Sequence, residues 1–93
     1  MIIVMRETFL RIESWRSITV VPLSTSASQR GRGPTSVPLE PGGNGLTLTS
    51  VALCHQITTL DRAKFRQRLG QLTSEELLRV EEGMLIGLGV ERR

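Results

Sequence analysis

Short β-prone runs separated by turn residues occupy the first two thirds of the chain. Apolar and β-branched residues recur in residues 1–5, 17–23, 35–40 and 50–61, with prolines, glycines or polar residues between them. The first run is continuously apolar, as in a buried strand, whereas residues 17–23 alternate. Because short strands with turn chemistry between them are typical of antiparallel architectures, the pattern predicts a small, mainly β domain built as an antiparallel sheet or barrel.

Prolines and glycines mark where these strands end. Pro22 and Pro38 cannot donate to a sheet, so each is expected at a strand end or an edge. The sequence Pro41-Gly-Gly-Asn-Gly45 predicts a tight turn. Residues 26–34 are polar, with two arginines set off by glycines, which is compatible both with a loop that bends over a phosphate backbone and with a solvated hairpin tip.

Residues 50–61 have the clearest strand pattern and contain the chain's single histidine and single cysteine. Apolar positions alternate with polar ones such as His55 and Thr59, which predicts a buried central strand with a functional edge. Neighbours in a strand point to opposite faces, so Cys54 and His55 are not expected to act as a nucleophile–base pair. Cys54 is interpreted as a small core residue.

The period changes after Asp61. Asp61 is a suitable N-cap for a short helix to Leu69, with Gly70 as its stop. Thr73-Ser-Glu-Glu76 fits a capping box and predicts a second helix over residues 74–88. One apolar stripe of this helix is predicted to be core or dimer face, and it comprises Leu77, Leu78, Val80, Met84, Leu85 and Leu88.

The segment 6–17 is charged and has weak helical character. Phe9, Leu10 and Ile12 are expected to cover one edge of the core. Trp15 is interpreted as a partly buried anchor rather than a nucleobase platform. Because domains seldom begin inside a core strand, the apolar run 1–5 suggests that an N-terminal portion is missing.

Composition narrows the functional classes. The 93 residues amount to one domain, of a size at which dimerisation would contribute to stability. With 39% hydrophobic but only 3% aromatic residues, the core should be Leu, Val and Ile, and base stacking should not be the main binding device. The net charge of +3 is compatible with an anionic partner, but it is also common on ordinary proteins.

The cysteine and histidine content limits the chemistry further. One cysteine excludes an internal disulfide, and with one histidine it supplies too few soft ligands for a zinc site, so no metal or cofactor is expected. A reducing cytoplasm fits this content. The apolar run 1–5 is too short for a membrane span, and no signal-peptide cleavage pattern follows it.

His55 is the natural candidate for acid–base chemistry, because histidine is the side chain that titrates closest to neutral pH. The alternative is a structural histidine with satisfied hydrogen bonds. The chain has no P-loop, because Pro41-Gly-Gly-Asn-Gly45 lacks the following Lys and Ser/Thr, and it has no serine-hydrolase elbow.

The segments VVPLSTS and SVALCHQITTLD, followed by DRAKFRQRLGQL and a closing helix, resemble the MazF/PemK/Kid toxins of bacterial toxin–antitoxin systems. The resemblance covers roughly the whole chain. It implies an α+β, mainly β fold: an SH3-like antiparallel barrel of the CcdB/Kid/PemK type with a short helix and a C-terminal helix. It also implies a homodimer that cleaves single-stranded RNA without metal, by in-line attack of the ribose 2′-hydroxyl, and an antitoxin whose acidic tail occupies the same basic groove.

The same resemblance implies site residues. Ser24 and Thr25 stand where the family has a hydroxyl at the scissile phosphate, and His55 stands where many members have Asp. Leu53 replaces a catalytic arginine of one branch. The implied RNA contacts are Arg6, Arg30, Arg32 and Gln56.

The chain departs from the family at its start. Members open with a hairpin and a basic stretch ending in Arg-Pro, and that arginine stabilises the phosphate. The resemblance therefore implies one toxin-like domain over residues 1–93, N-terminally truncated, in which Arg6, Arg30 or Arg32 would have to supply the missing charge. Two alternatives follow: a weak or inactive remnant that dimerises or binds antitoxin, and, ranked last, a gyrase poison.

Overall fold

A computed structural model describes residues 1–26, 28, 33–65 and 70–90. Its strands are β1 (Ile2–Ile3), β2 (Ser17–Val21), β3 (Leu23–Ser24), β4 (Ser36–Leu39), β5 (Ser50–Leu53) and β6 (Thr58–Asp61). Its helices are α1 (Glu7–Leu10) and α2 (Ser74–Leu88), and 3-10 turns occur at Cys54–Gln56 and Arg62–Lys64. No helix in these described ranges is long and apolar enough to cross a membrane.

The strands form two three-stranded antiparallel sheets, in the orders β1-β2-β6 and β3-β5-β4. Pro22 separates β2 from β3, so the chain passes from one sheet to the other at the residue that has no N–H to donate. Its carbonyl still accepts a hydrogen bond from the Leu53 amide at 3.0 Å. The antiparallel, mainly β prediction is confirmed, whereas closure of the sheets into a barrel remains a prediction.

The prediction of one strand over residues 50–61 is wrong. β5 ends at Leu53, and the 3-10 turn Cys54–Gln56 then carries the chain to β6, which pairs with β2 in the other sheet. The Cys54 amide donates to the Thr35 carbonyl at 2.9 Å, which fixes the start of the turn. The alternation in the sequence therefore spans two strands of different sheets.

Both proline predictions hold. Pro22 ends β2, and Pro38 lies in β4, an edge strand, with its side chain exposed. The first strand is shorter than predicted: β1 comprises only Ile2–Ile3, and Ile3 is 42% exposed. Residues 1–5 are thus not a wholly buried strand, because β1 lies at a sheet edge and buries only Ile2.

The core is aliphatic, as predicted, and one cluster joins the two sheets to α2. Its buried members are Ile2, Val21, Val37, Leu39, Ala52, Cys54 and Val80. Met84 packs against this cluster, but Leu78 and Leu88 are 45% and 66% exposed. The predicted apolar stripe of α2 is therefore divided between a core-facing side and an outward-facing side.

The predicted start of α2 is confirmed. The Thr73 hydroxyl accepts a hydrogen bond from the Glu76 amide at 3.1 Å, and the Glu76 carboxylate accepts one from the Thr73 amide at 2.9 Å. The helix ends before Gly89, which adopts a left-handed φ of 76°.

The predicted helix over residues 61–69 is wrong. Asp61 does act as a cap, accepting from the Ala63 amide at 2.8 Å, but the turn ends at Lys64 and Phe65 has extended φ and ψ of −92° and 126°. Tertiary hydrogen bonds of Arg62 compete with helix formation, since its amide donates to the Arg16 carbonyl at 2.7 Å. Residues 66–69 lie outside the described residues.

Arg62 also binds the connection between β1 and β2. Its guanidinium donates to the Trp15 carbonyl at 2.8 Å, and to two further carbonyls, those of Leu10 and Ile12. Trp15 contacts Phe9 with ring centroids 4.6 Å apart and ring planes tilted by 39°, but at 39% exposure it is an exposed residue, contrary to its interpretation as a partly buried anchor. Phe9 and Ile12 remain exposed and do not join the core, contrary to expectation.

Candidate active site

The 3-10 turn Cys54–Gln56 presents the candidate acid–base residue to solvent. Cys54 is fully buried, whereas His55 and Gln56 are exposed. The predicted separation of Cys54 from His55 is therefore correct, but its cause is the tight turn rather than strand alternation. The turn is anchored at its start by the Leu53 amide on the Pro22 carbonyl and the Cys54 amide on the Thr35 carbonyl.

The imidazole of His55 has one polar neighbour at each ring nitrogen. Nδ1 lies 3.5 Å from the hydroxyl oxygen of Thr35, and Nε2 lies 3.2 Å from the amide nitrogen of Gln56. Among the described residues no carboxylate or guanidinium is hydrogen-bonded to the ring. Its exposure makes His55 accessible to a large ligand.

Helix α2 supports the turn from behind through two glycines one helical turn apart. A Cβ on Gly83 would lie 2.9 Å from Cys54 Sγ and 3.0 Å from a methyl carbon of Val37. A Cβ on Gly87 would lie 3.6 Å from the Cα of His55. This contact was not predicted from the sequence, although the Gly83-x-x-x-Gly87 spacing on the helix is a signal for it.

The geometry gives Cys54 a structural role. Its thiol donates to the Ala52 carbonyl at 3.7 Å, and burial raises the pKa of the thiol above its ordinary value. A thiol that is buried and protonated is a poor nucleophile. The interpretation of Cys54 as a core residue agrees with its membership of the buried cluster.

Ser24 ends β3, which lies next to β5, and Thr25 follows that strand. Ser24 pairs with Val51 in the antiparallel β3–β5 ladder, whereas His55 follows the other end of β5. Because a strand advances about 3.3 Å per residue, Ser24 lies roughly 10 Å from the 3-10 turn. The structure therefore does not bring the three predicted catalytic residues within hydrogen-bonding distance of one another.

The two hydroxyls differ in their local bonds. Ser24 Oγ accepts from the Ser26 amide at 3.1 Å and so stabilises the turn after β3. Thr25 is exposed and makes no hydrogen bond with the described residues. Of the two hydroxyls, that of Ser24 has a hydrogen-bond partner among the described residues and that of Thr25 has none.

The predicted RNA-binding arginines lie elsewhere or outside the described residues. Arg6 lies just before α1. It follows the Ile3 end of β1, and the Ile2–Val21 pair lies at the other end. Arg30 and Arg32 fall outside the described residues. In the described ranges no group of three or more His, Cys, Asp or Glu side chains is placed to hold a metal ion.

Comparison with known proteins relates the chain to one family of toxins. The family described as "PemK-like, MazF-like toxin of type II toxin-antitoxin system" matches residues 1–87. A curated relative from Mycolicibacterium smegmatis, "Probable endoribonuclease MazF", is 28% identical over 81 residues, covering 86% of this chain and 72% of that protein.

Several solved structures with the same fold are mycobacterial proteins. The Mycobacterium tuberculosis toxin MazF-mt6 superposes with a TM-score of 0.82 at 24% identity, covering 98% of this chain and 86% of that one. A mycobacterial endoribonuclease in complex with its cognate antitoxin gives a TM-score of 0.79 at 23% identity, covering 98% and 81%. At these identities the structural matches establish a MazF-like fold.

Proposed function

Because the chain belongs to the PemK-like and MazF-like toxin family of type II toxin–antitoxin systems, we propose that it is an endoribonuclease that cleaves single-stranded messenger RNA. The observation that carries the proposal is the family match over residues 1–87, which includes the exposed His55. The endoribonuclease name of the curated relative supports it.

The proposed reaction uses His55 as the acid–base residue. A neutral imidazole nitrogen takes the proton of a ribose 2′-hydroxyl, whose oxygen attacks the adjacent phosphorus while the bond to the 5′-oxygen breaks. The departing 5′-oxygen takes a proton from a water molecule, the imidazolium of His55 later returns its proton to solvent, and a 2′,3′-cyclic phosphate remains on the other fragment. General acid–base catalysis of this kind contributes about 10²–10⁴-fold to a rate, and no metal ion is required in the proposal.

The remaining candidate residues are proposed to bind the RNA. Ser24 and Thr25 donate hydrogen bonds to phosphate oxygens, and an RNA strand that crosses β3 and the 3-10 turn would reach both them and His55. Further backbone and base contacts are proposed for Arg6, Arg30, Arg32 and Gln56. Positive charge near the phosphate stabilises the charge that develops during cleavage.

We also propose that the protein forms a homodimer and that the two sheets of each protomer close into an SH3-like barrel. Its proposed location is the cytoplasm. The expected inhibitor is an antitoxin with an acidic tail, which would pair with a chain of net charge +3. A related endoribonuclease of the same fold is known in complex with its cognate antitoxin, which supports this partner class.

Cleavage of labelled single-stranded RNA by the purified protein, with a chelator present, tests the proposal. His55→Ala should lower the rate by about 10²–10⁴-fold, and Ser24→Ala and Thr25→Val should lower it less. Thr59→Val is the matched control, because Thr59 is an exposed β6 residue paired with Thr19 and has no proposed role. Equal cleavage by wild type and His55→Ala would refute the assignment of His55.

The second candidate is a catalytically weak or inactive chain that dimerises or binds antitoxin. It is supported by Leu53, an uncharged residue at the position where one branch of the family has a catalytic arginine. Folded wild-type protein that binds an acidic antitoxin peptide yet leaves RNA intact would support this reading and contradict the nuclease proposal.

A further inference from the structure

We propose that Asn44 is a deamidation site that the folded structure protects, and that deamidation, once it occurs, permanently breaks the link between the turn 41–45 and helix α2. The inference goes beyond the proposed function and does not depend on it. Asn44 is the single asparagine of the chain, and the residue after it is Gly45, which has no side chain to hinder attack on the asparagine amide.

The reaction needs only the protein and water. The Gly45 nitrogen bonds to Asn44 Cγ while the bond from Cγ to Nδ2 breaks. The Gly45 N–H proton passes through solvent to the leaving nitrogen, which departs as ammonia. Water then adds to either carbonyl of the resulting cyclic imide and breaks the bond from that carbonyl to nitrogen. The products are aspartate and isoaspartate at position 44.

The partners of the Asn44 side chain fix its orientation. Nδ2 donates to Glu76 Oε2 at 2.8 Å and to the Glu40 carbonyl at 2.9 Å, and an ionised carboxylate and a carbonyl only accept. Oδ1 accepts from the Leu46 amide at 3.1 Å, and a backbone N–H only donates. Exchanging oxygen and nitrogen would place acceptor against acceptor and donor against donor, so the amide has one orientation.

The native turn also holds the attacking group. The Gly45 N–H must lose its proton for the nitrogen to attack, and in the fold it donates to the Gly42 carbonyl at 3.2 Å. As in amide hydrogen exchange, a proton held in such a bond is released when the structure opens locally. The backbone of Gly70 covers the same peptide, since a Cβ on Gly70 would lie 2.7 Å from the Gly45 nitrogen. Deamidation therefore requires the turn to separate from Gly70 and from α2.

The product cannot restore the native contacts. A carboxylate at position 44 places oxygen where Nδ2 was, against the Glu76 carboxylate and the Glu40 carbonyl, so acceptors face one another without a donor. Isoaspartate also lengthens the backbone by one carbon, at a peptide that Gly70 already contacts closely. The opening of the turn is reversible before the reaction and becomes permanent after it.

The first test compares the deamidation rate of the full-length folded protein with that of the same chain unfolded in urea, by peptide mapping with mass spectrometry. The folded protein should react at least about tenfold more slowly, because only its locally open fraction reacts. Hydrogen exchange of the Gly45 amide should accelerate in parallel as urea is raised. Equal rates in the folded and unfolded chain would overturn the protection, and an unreactive Asn44 in the unfolded chain would overturn the site.

Gly70→Ala and Gly43→Ala form a matched pair. A Cβ on Gly70 displaces that segment from the turn, so deamidation of the folded variant should approach the rate of the unfolded chain. A Cβ on Gly43 would have no atom of the described residues within 4 Å and should leave the rate unchanged. Equal rates in the two variants, both shown to be folded by circular dichroism, would refute the role of Gly70.

Asn44→Asp reproduces one product directly. It should lower the equilibrium constant for folding by on the order of tenfold, because it loses two hydrogen bonds and brings two carboxylates together. Asn44→Ala removes the contacts without adding charge and should lower the constant less. An Asn44→Asp protein as stable as the wild type would contradict the loss of the link to α2.

Discussion

At the scale of single residues, Glu76 joins the start of α2 to the turn before β5. Its carboxylate accepts from the Thr73 amide at 2.9 Å and from the Asn44 side-chain amide at 2.8 Å, while Asn44 also donates to the Glu40 carbonyl. The backbone hydrogen bond from Thr73 is the largest cause that lowers the pKa of Glu76 below its ordinary value of 4.5. The ionised form is therefore favoured in the folded state.

Glu76→Gln should lower the free energy of unfolding at neutral pH by about 1 kcal/mol, the scale of one net hydrogen bond. The glutamine amide has only one acceptor oxygen, so its NH2 group would face one of the two donors, such as the Asn44 amide. Since folding lowers the pKa of Glu76, its contribution is complete above 4.5 and is lost as the pH falls through the lower folded value. Urea unfolding of both proteins at several pH values should show their difference shrinking in acid.

Glu75→Gln is the matched control for that experiment. Glu75 also lies in the first turn of α2, so both substitutions remove the same favourable charge from the helix N-terminus. Its side chain is exposed and makes no hydrogen bond with the described residues. Equal losses in the two variants would show that the helix dipole, not the Thr73 and Asn44 contacts, explains the effect.

At the scale of elements, α2 and the 3-10 turn meet at a contact that only glycine permits. A Cβ added to Gly83 would lie within 3.0 Å of both Cys54 Sγ and a methyl carbon of Val37. A Cβ added to Gly87 would lie 3.5 Å from its nearest neighbouring atom. The first spacing is too close for a methyl group, and the second is ordinary van der Waals contact. The helix can therefore approach the turn that bears His55 only where residue 83 lacks a side chain.

Gly83→Ala should destabilise the protein by about 1–3 kcal/mol through overpacking, despite a gain of about 1 kcal/mol in helix propensity. Gly87→Ala has the same propensity gain without the clash, so it should be neutral or stabilising by up to about 1 kcal/mol. Thermal or urea unfolding of the pair checks this. Equal effects would contradict the close approach at Gly83.

Elements whose determinants are local were predictable from the sequence. The bounds of α2 follow from the Thr73–Glu76 capping box and from Gly89, all close along the chain. The break between β5 and β6 at residues 54–57 was not predictable from local sequence. It depends on the Thr35 carbonyl, which accepts from the Cys54 amide, and on helix α2, which lies about 20 residues further along the chain. For the same reason the site was predicted only in part: His55 is exposed, but its distance from Ser24 depends on strand register.

At the scale of the whole molecule, Arg62 connects the β1–β2 segment to the end of β6. Its guanidinium binds three carbonyls of residues 10–15, and the adjacent Asp61 pairs with Arg16 at 2.8 Å. The ion pair is half-exposed and contributes little by itself. The three carbonyl bonds carry the connection, because each satisfies a backbone acceptor that a side chain without donors would leave unpaired.

Arg62→Met should loosen residues 10–16 while leaving the aliphatic core in place. The single tryptophan lies in this segment, so its emission should shift to longer wavelength and cleavage by trypsin after Arg11 or Arg16 should accelerate. Arg79→Met is the control, because Arg79 donates only one bond, to the Pro38 carbonyl at 3.2 Å. A tryptophan spectrum unchanged by Arg62→Met would refute the role of Arg62.

Because Cys54 is buried beneath Gly83, the rate at which its thiol reacts would measure how often helix α2 separates from the 3-10 turn. A reagent that alkylates cysteine reaches the sulfur only after α2 separates from the turn. The alkylation rate therefore reports the frequency of this local opening rather than the intrinsic reactivity of the thiol. The same opening removes the helix that packs against the turn bearing His55. The alkylation rate would therefore also report how often the proposed active site is disrupted.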